Sequence, residues 1–332
     1  MYESYFGLRE RPFQLTPNPR YLFLNPSHRE ALATLRDGLS APRGVTLLLG
    51  EAGTGKTTIL TAALRAERNP NHRHVLLSNP VLTRAEFFEF IAECFQLPNA
   101  SGSKARFLLD FQRDVSERSR KDGITALVID EAQSLPYALL EEIRLLANLE
   151  TETTKLVNVV LVGQQELADR LNDPSLRQLK QRVGLRCSLE PLDLRETARY
   201  IAARLRVAGA DAADVFTKDA VMAIYAASGG IPRTIGVICD NALLGGYAAQ
   251  VKPVDRPIVE DVCRDFDLPL DGQARPGQVA AGQAPARPAG ARPGPPARPV
   301  LWAAPRTEAD EGEANAPKFG ARAGHGGRFF PD

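Results

Sequence analysis

The chain has 332 residues, which is long enough for about two domains. Its 44% hydrophobic and 24% charged residues are ordinary for a globular protein with a substantial core. No apolar run reaches the roughly 18–20 residues that a membrane-spanning helix needs, and the N-terminus lacks the basic and apolar stretches of a signal peptide. These features predict a protein that stays in the cytoplasm.

The charge of the chain is close to balanced, with a formal net charge of +1. Residues before Asp271 carry 33 Lys/Arg and 34 Asp/Glu. Nucleic-acid-binding domains often show a basic excess, so this balance argues against a nucleic-acid partner, although a local basic patch would escape the count. The four cysteines lie far apart, without a pair at metal-ligand spacing, and are expected to be reduced thiols.

Five short apolar runs alternate with helical patterns over the first 192 residues. The runs lack strict polar alternation, as expected for parallel strands covered on both faces. They are Val45–Leu49, His74–Ser78, Thr125–Asp130, Val157–Gly163 and Leu185–Leu189. Helices are expected between them at 57–67, 83–96, 104–120 and 135–149. This order predicts an α/β domain, 1–192, built on a doubly wound parallel sheet with right-handed crossovers.

The pattern after Leu192 is wholly helical. Asp193 followed by Glu196 fits an N-terminal capping box, and Pro232 suits the first turn of a later helix. We expect four helices in a small domain, residues 193–268. From residue 269 to 332 the chain is rich in Pro, Ala, Gly and Arg, a composition typical of a disordered tail.

The segment after the first strand fits the phosphate-binding pattern G-x-x-x-x-G-K-[ST]. It follows a strand and opens a helix, where backbone N–H groups and the helix dipole attract phosphate. Lys56 is expected to reach the β and γ phosphates, and the Thr57 hydroxyl to bind Mg²⁺. The predicted nucleotide-binding residues are Gly50, Glu51, Ala52, Gly53, Thr54, Gly55, Lys56, Thr57 and Thr58.

Two carboxylates follow the third predicted strand. Asp130 at the strand end suits the ligand shell of Mg²⁺, where it would orient coordinated water. Glu131 is expected to act as the general base that polarises the attacking water. Together with the phosphate loop, this pair predicts hydrolysis of ATP in addition to binding.

Gln164 follows the strand Val157–Gly163, at the sheet edge where doubly wound folds bind ligands. We expect its amide to hydrogen-bond the attacking water or the γ-phosphate. Gln165, the next residue, is the alternative for this role. A further alternative is that Gln164 is a loop amide that does not contact the nucleotide.

Two arginines complete the predicted site. Arg233 lies in the first helical turn after Gly229-Gly230, where its guanidinium is expected to bind phosphate from the small domain. Arg182 precedes the last strand and is the preferred candidate for an arginine that acts on the nucleotide of a neighbouring subunit. Arg177 and Arg186 are the alternatives for that role.

With these residues in place, the chain resembles the AAA+ ATPases of the general secretion pathway protein A type, which include pilus-biogenesis and exosortase-associated members. The resemblance covers about residues 1–268. It rests on Tyr5–Leu8, Pro12-Phe13, Thr16–Pro19, Gly50–Thr58, Ile129–Gln133, Leu161–Leu167 and Gly230–Arg233. It implies a Walker A loop, a Walker B pair at Asp130 and Glu131, a first sensor at Gln164 and a second at Arg233.

The resemblance also implies ATP-dependent self-assembly and a partner in the inner membrane, within an export or pilus system. Family members of the secretion type often continue into a membrane helix and a periplasmic region, where this chain has the predicted tail. Any attachment to the membrane is therefore expected to be peripheral and to run through the partner. The N-terminal segment is expected near the nucleotide base, with Phe13 either contacting it or serving as a core aromatic.

Three functions are compatible with this chemistry. The first is an ATPase that serves secretion, pilus assembly or polysaccharide export. The second is a DNA-associated ATPase of the transposition-helper type, against which the near-neutral charge argues. The third is a nucleotide-gated switch with little turnover, against which Glu131 and the candidate trans-acting arginine argue.

Overall fold

In the computed structural model, residues 1–14, 16, 18–78, 80–97 and 103–269 are described. The predicted tail lies outside the described residues from position 270 onward. A five-stranded parallel sheet forms the first part of the fold, with strand order β2-β3-β4-β1-β5. The strands are β1 Val45–Gly50, β2 Arg73–Leu77, β3 Thr125–Ile129, β4 Val157–Gly163 and β5 Val183–Leu189. The predicted α/β class is confirmed, and each predicted strand is present with limits that differ by at most two residues.

Burial explains which strands the sequence marks most clearly. Every residue of β3 and β4 is buried, because these strands lie inside the sheet and are covered on both faces. The first four residues of the edge strand β5 are half-buried or exposed, and its buried residues are Cys187 and Leu189. Its first two residues therefore do not extend the apolar run. Since β4 lies between β3 and β1, the carboxyl ends of these three strands are neighbours at one edge of the sheet.

Helices cover both faces of the sheet and then form a separate helical bundle. Their limits are α1 Tyr2–Phe6, α2 Pro26–Ser40, α3 Lys56–Ala66, α4 Arg84–Phe95, α5 Lys104–Ser119, α6 Tyr137–Leu146, α7 Gln165–Leu171, α8 Arg177–Lys180, α9 Leu194–Ala208, α10 Lys218–Ser228, α11 Pro232–Ala249 and α12 Arg256–Asp265. Helices α2 and α3 pack on one face of the sheet, and α4 to α7 pack on the other. Among the described residues, no helix is both long enough and apolar enough to cross a membrane.

The helical bundle of α9 to α12 has its own hydrophobic core. The predicted capping box at its start is present: the Glu196 N–H donates to the Asp193 carboxylate at 2.6 Å, and the Asp193 N–H donates to Glu196 at 3.1 Å. Pro232 occupies the first position of α11, as predicted.

The N-terminal residues pack with this bundle, although they precede the sheet in the chain. The rings of Tyr2, Phe6 and Phe13 are buried in the hydrophobic core that α9 to α12 share. Phe13 is thus a core aromatic, which is one of the two roles expected for it. The Arg204 guanidinium lies 5.8 Å from its ring centre.

Candidate functional site

The phosphate loop joins β1 to α3 and depends on glycine at several positions. Gly53 and Gly55 have φ angles of +84° and +100°, which L side chains rarely adopt. A Cβ on Gly50 would lie 2.9 Å from the Leu189 carbonyl oxygen. The buried Thr54 closes the loop, because its hydroxyl donates to the Glu51 carbonyl at 2.8 Å. The loop therefore leads tightly from the strand into the N-terminus of α3, as the motif predicts.

Lys56 lies against this loop. Its ammonium donates to the carbonyl oxygens of Gly50 and Glu51 at 3.0 and 2.9 Å. Burial lowers the pKa of Lys56, while the nearby carboxylates of Glu131 and Asp130 act in the opposite direction. A cation held at the N-terminus of α3 is suited to an anionic phosphate.

The two predicted Mg²⁺ ligands are in direct contact. The Thr57 hydroxyl donates to Asp130 Oδ2 at 2.7 Å, and the Glu131 N–H donates to Asp130 Oδ1 at 2.9 Å. Burial raises the pKa of the Asp130 carboxyl, although these two hydrogen bonds favour its charged form. A hydroxyl and a buried carboxylate side by side are hard oxygen ligands, which fit Mg²⁺.

Glu131 lies beside Asp130 and is held by a side chain to which sequence reasoning assigned no role. Its backbone adopts a left-handed conformation with φ of 55°. Gln133 Nε2 donates to Glu131 Oε2 at 2.5 Å, and Gln133 Oε1 accepts the Gln164 N–H at 3.2 Å. A Cβ on Gly163 would lie 2.9 Å from Gln133 Oε1, so glycine there makes room for the amide. Gln133 therefore bridges the ends of β3 and β4.

Arg170 of α7 fixes the segment that carries Gln133. Its guanidinium donates to the backbone carbonyl of Gln133 and, at 2.6 Å, to that of Leu135. The same guanidinium lies 4.7 Å from the centre of the Tyr137 ring. Two carbonyl contacts and a cation–π contact restrict the turn after β3, and with it the position from which Gln133 reaches Glu131.

Arg233 lies next to the phosphate loop. Its N–H donates to the Gly53 carbonyl at 3.2 Å, and its Cβ would lie 2.9 Å from a Cβ on Gly53. The turn before it is equally close-packed: a Cβ on Gly230 would lie 1.9 Å from the Leu192 carbonyl oxygen. The structure thus brings the helical bundle and the phosphate loop together at the predicted residue.

Arg182 lies at the opposite end of the sheet from the phosphate loop. It precedes Val183, which is paired with Val45 at the start of β1, and its carbonyl accepts the Val45 N–H at 3.2 Å. The five residue steps from Val45 to Gly50, at about 3.3 Å each, separate Arg182 from the loop by roughly 17 Å. Arg182 is therefore remote from the phosphate loop of its own chain.

A cavity beside the phosphate loop was not found by sequence reasoning. His28 of α2 lies at its wall, with Nε2 3.2 Å from the Thr54 carbonyl oxygen, and burial lowers the pKa of this imidazole. Aromatic and aliphatic side chains make most of the lining, which suits a flat base. The lining residues are Tyr21, Leu22, Phe23, His28, Thr54, Gly55, Thr58, Ile59, Leu192, Tyr200, Arg204 and Pro232.

Comparisons with known proteins agree with this architecture. Residues 40–171 match the AAA domain family. General secretion pathway protein A of Aeromonas hydrophila is 42% identical over 250 residues, which cover 75% of this chain and 45% of that protein. The chain therefore spans less than half the length of this relative.

Solved structures with the same fold include archaeal proteins. Cdc6p from Pyrobaculum aerophilum has a TM-score of 0.58 at 20% identity, covering 76% of this chain and 70% of its own. The ORC2 protein of Aeropyrum pernix has a TM-score of 0.54 at 16% identity, covering 77% and 71%. At such identities the likeness shows the fold alone.

Proposed function

Since the chain belongs to the AAA+ P-loop proteins of the general secretion pathway protein A type, we propose that it binds ATP with Mg²⁺ and hydrolyses it to ADP and phosphate. The observation that carries the proposal is the meeting of three strand ends at one site. β1 leads into the phosphate loop, β3 ends beside Asp130 and Glu131, and β4 ends at Gln164. This grouping supports the proposal, because a phosphate-binding loop, hard oxygen ligands and a carboxylate base are what hydrolysis of a nucleotide with Mg²⁺ needs.

Each residue has a distinct part in the proposed reaction. The loop N–H groups and Lys56 bind the phosphates, and the base occupies the cavity beside His28. Thr57 and Asp130 would hold Mg²⁺, which when bound offsets negative charge on the β and γ phosphates. Glu131 accepts a proton from the attacking water, whose oxygen bonds to the γ-phosphorus as the bond to the β-phosphate oxygen breaks.

Residues around the γ-phosphate would complete the site. Gln164, at the end of β4, is proposed to hydrogen-bond the attacking water or the γ-phosphate. Arg233, which lies in the helical bundle, is proposed to bind a phosphate of the nucleotide. Its backbone contact with Gly53 of the phosphate loop supports this proposal. Because Arg182 lies far from its own loop, we assign it to the nucleotide of a neighbouring subunit in an ATP-dependent homo-oligomer.

We further propose that hydrolysis drives the assembly or operation of a bacterial envelope system for secretion, pilus formation or polysaccharide export. The 42% identity to general secretion pathway protein A supports this assignment. An inner-membrane component would be the partner, with the protein acting peripherally on the cytoplasmic side. The archaeal structural neighbours share only the fold and give no support for a DNA-directed role.

Two measurements test the chemistry. Glu131→Gln should still bind ATP but hydrolyse it at a small fraction of the wild-type rate, and an unchanged rate would remove Glu131 from its role.

Mixing Arg182→Ala with Glu131→Gln subunits should give activities that depend nonlinearly on the mixing ratio, if sites are shared. Activities equal to the weighted average would show that each subunit works alone.

The cellular assignment needs its own test. ATPase rates of the full chain should change little when duplex DNA is added at low salt. Strong stimulation by duplex would favour a DNA-associated ATPase instead. Co-purification with an inner-membrane protein of an export or pilus system, dependent on ATP, would support the proposed partner.

A further inference from the structure

Three potential metal ligands meet away from the nucleotide site, where α3 ends and β2 begins. Glu67 directly follows α3 as its C-terminal cap, His72 directly precedes β2, and His74 belongs to that strand. One ligand atom from each lies within 4.8 Å of the other two. The three residues are brought together by the turn between the helix and the strand, and we call them the 67/72/74 cluster.

Glu67 is oriented before any ligand arrives. Its Oε1 accepts the backbone N–H groups of Arg68 and Asn69, both at 2.8 Å. These bonds leave Oε2 directed at His72, whose Nδ1 is 3.3 Å away. The side chains of His72 and Glu67 are only 7% and 17% exposed. A carboxylate held by its surroundings in this way is a feature of metal sites, whose ligands are positioned by outer hydrogen bonds.

His74 offers a buried nitrogen that is otherwise unused. Its Nε2 is shielded from solvent and has no hydrogen-bond partner among the described residues. A neutral imidazole with a buried, unpartnered nitrogen can give that lone pair to a metal ion, and histidine is the commonest metal ligand in proteins.

A simple ion pair does not account for the whole cluster. His72 Nδ1 lies at an ion-pair distance of 3.3 Å from Glu67 Oε2, but this buried nitrogen has no partner in hydrogen-bond geometry among the described residues. The Nε2 lone pair of His74 would still be buried without a partner, which is costly. A cation bound between the three side chains gives each of them a partner.

We propose that Glu67, His72 and His74 form a binding site for a divalent transition-metal ion of the zinc class. Four-coordinate zinc with bonds of about 2.0–2.1 Å places neighbouring ligand atoms roughly 3.3 Å apart, and the Glu67–His72 pair has a separation of 3.3 Å. Rotation of one imidazole closes the wider separations, and water supplies the fourth ligand. Two imidazoles favour zinc, cobalt or nickel over Mg²⁺, so this ion is distinct from the one at the nucleotide.

The consequence of the site is structural. Helix α3 starts at the phosphate loop, and the 67/72/74 cluster joins its other end to the edge strand β2. A bound ion stabilises the folded protein, because it binds this arrangement and not the unfolded chain. The ion has no part in the chemistry of ATP.

The test is a titration of the nucleotide-free, chelator-treated full chain with Co²⁺, followed by visible absorption. We expect one tightly bound ion per chain with the intense bands of four-coordinate Co²⁺, displacement of those bands by Zn²⁺, and no displacement by Mg²⁺. The melting temperature should rise with Zn²⁺ or Co²⁺. Absence of saturable binding to the wild type would overturn the proposal.

Matched variants locate the site. Glu67→Gln, His72→Gln and His74→Gln should each weaken Co²⁺ binding by more than about 100-fold, because loss of an outer-shell partner alone typically costs roughly 10–100-fold. His325→Gln and Cys94→Ser control for another histidine and for a partly exposed thiol, and they should bind like the wild type. Wild-type affinity in the folded cluster variants, judged by their melting curves, would refute the assignment. The three independent substitutions keep the test decisive if one variant fails to fold.

Discussion

Replacing Gln133 with alanine tests whether the amide between β3 and β4 positions the proposed base. The substitution removes a bond of 2.5 Å to the Glu131 carboxylate and the acceptor for the Gln164 N–H. A hydrogen bond to a charged group contributes about 1.5–3 kcal/mol. If most of this free energy serves to orient Glu131 in the transition state, kcat should fall roughly 10–100-fold in the variant. Affinity for ATP should change little, because the contacts of Lys56 and the phosphate loop remain.

The assay combines steady-state ATP hydrolysis with an independent measurement of nucleotide binding. Gln112→Ala is the control, since this glutamine is exposed on α5 and is not among the residues of the proposed site. An unchanged kcat for Gln133→Ala would refute the positioning role. An equal loss of ATP affinity and of kcat/KM, with kcat intact, would instead indicate a general effect on the binding site.

A second variant separates position from charge. Gln133→Glu keeps the shape but puts another carboxylate within hydrogen-bonding distance of Glu131. Two carboxylates so close raise the apparent pKa of the pair, because the like charges repel. The rising limb of the pH–rate profile should therefore move to higher pH. A profile identical to that of the wild type would show that Gln133 and Glu131 do not interact during hydrolysis.

Three further substitutions have defined outcomes. Gly230→Ala should lower the melting temperature, because Gly230 has a φ of +77° and a Cβ would lie 1.9 Å from the Leu192 carbonyl oxygen; an unchanged value would show that the turn can shift freely. Asp130→Asn should abolish hydrolysis yet raise the melting temperature of the nucleotide-free protein at pH 7. Burial raises the pKa of Asp130, so ionisation of this carboxyl destabilises the folded protein at pH values above the usual carboxyl pKa. The increase in melting temperature should therefore shrink as pH falls towards 4. An increase that grows on acidification would contradict this expectation. Asp193→Ala should reduce the free energy of unfolding by about 1 kcal/mol through loss of the Glu196 capping box, measured by urea denaturation, and no change would mean that solvent replaces the cap.

The phosphate loop and the Asp130–Glu131 pair could be predicted because the residues of each are consecutive in the sequence and directly follow a predicted strand. The cavity beside the phosphate loop could not be predicted, because its lining comes from the N-terminal region, the phosphate loop and the helical bundle. No periodic pattern links Tyr21 to Leu192 or Pro232. Helix α2 was also missed, although Asn25 caps it by accepting the His28 N–H at 2.8 Å. Strand order likewise depends on packing that a sequence does not display.

If Arg182 acts on the nucleotide of a neighbouring subunit, as proposed, the contacts around Gln133 connect that role to Glu131. Arg170 of α7 holds the Gln133 carbonyl, and the chain then passes through α8 to Arg182. Lys180 and Asn172, which are hydrogen-bonded at 2.7 Å, tie that intervening segment together. A displacement of the β4 end on loss of the γ-phosphate would therefore act on Glu131 through Gln133 and on α7 through Arg170. Helices α7 and α8 directly precede Arg182. Helix α7 therefore helps to position Glu131 through Arg170 and Gln133, and it also leads to Arg182, which is assigned to the nucleotide of the neighbouring subunit.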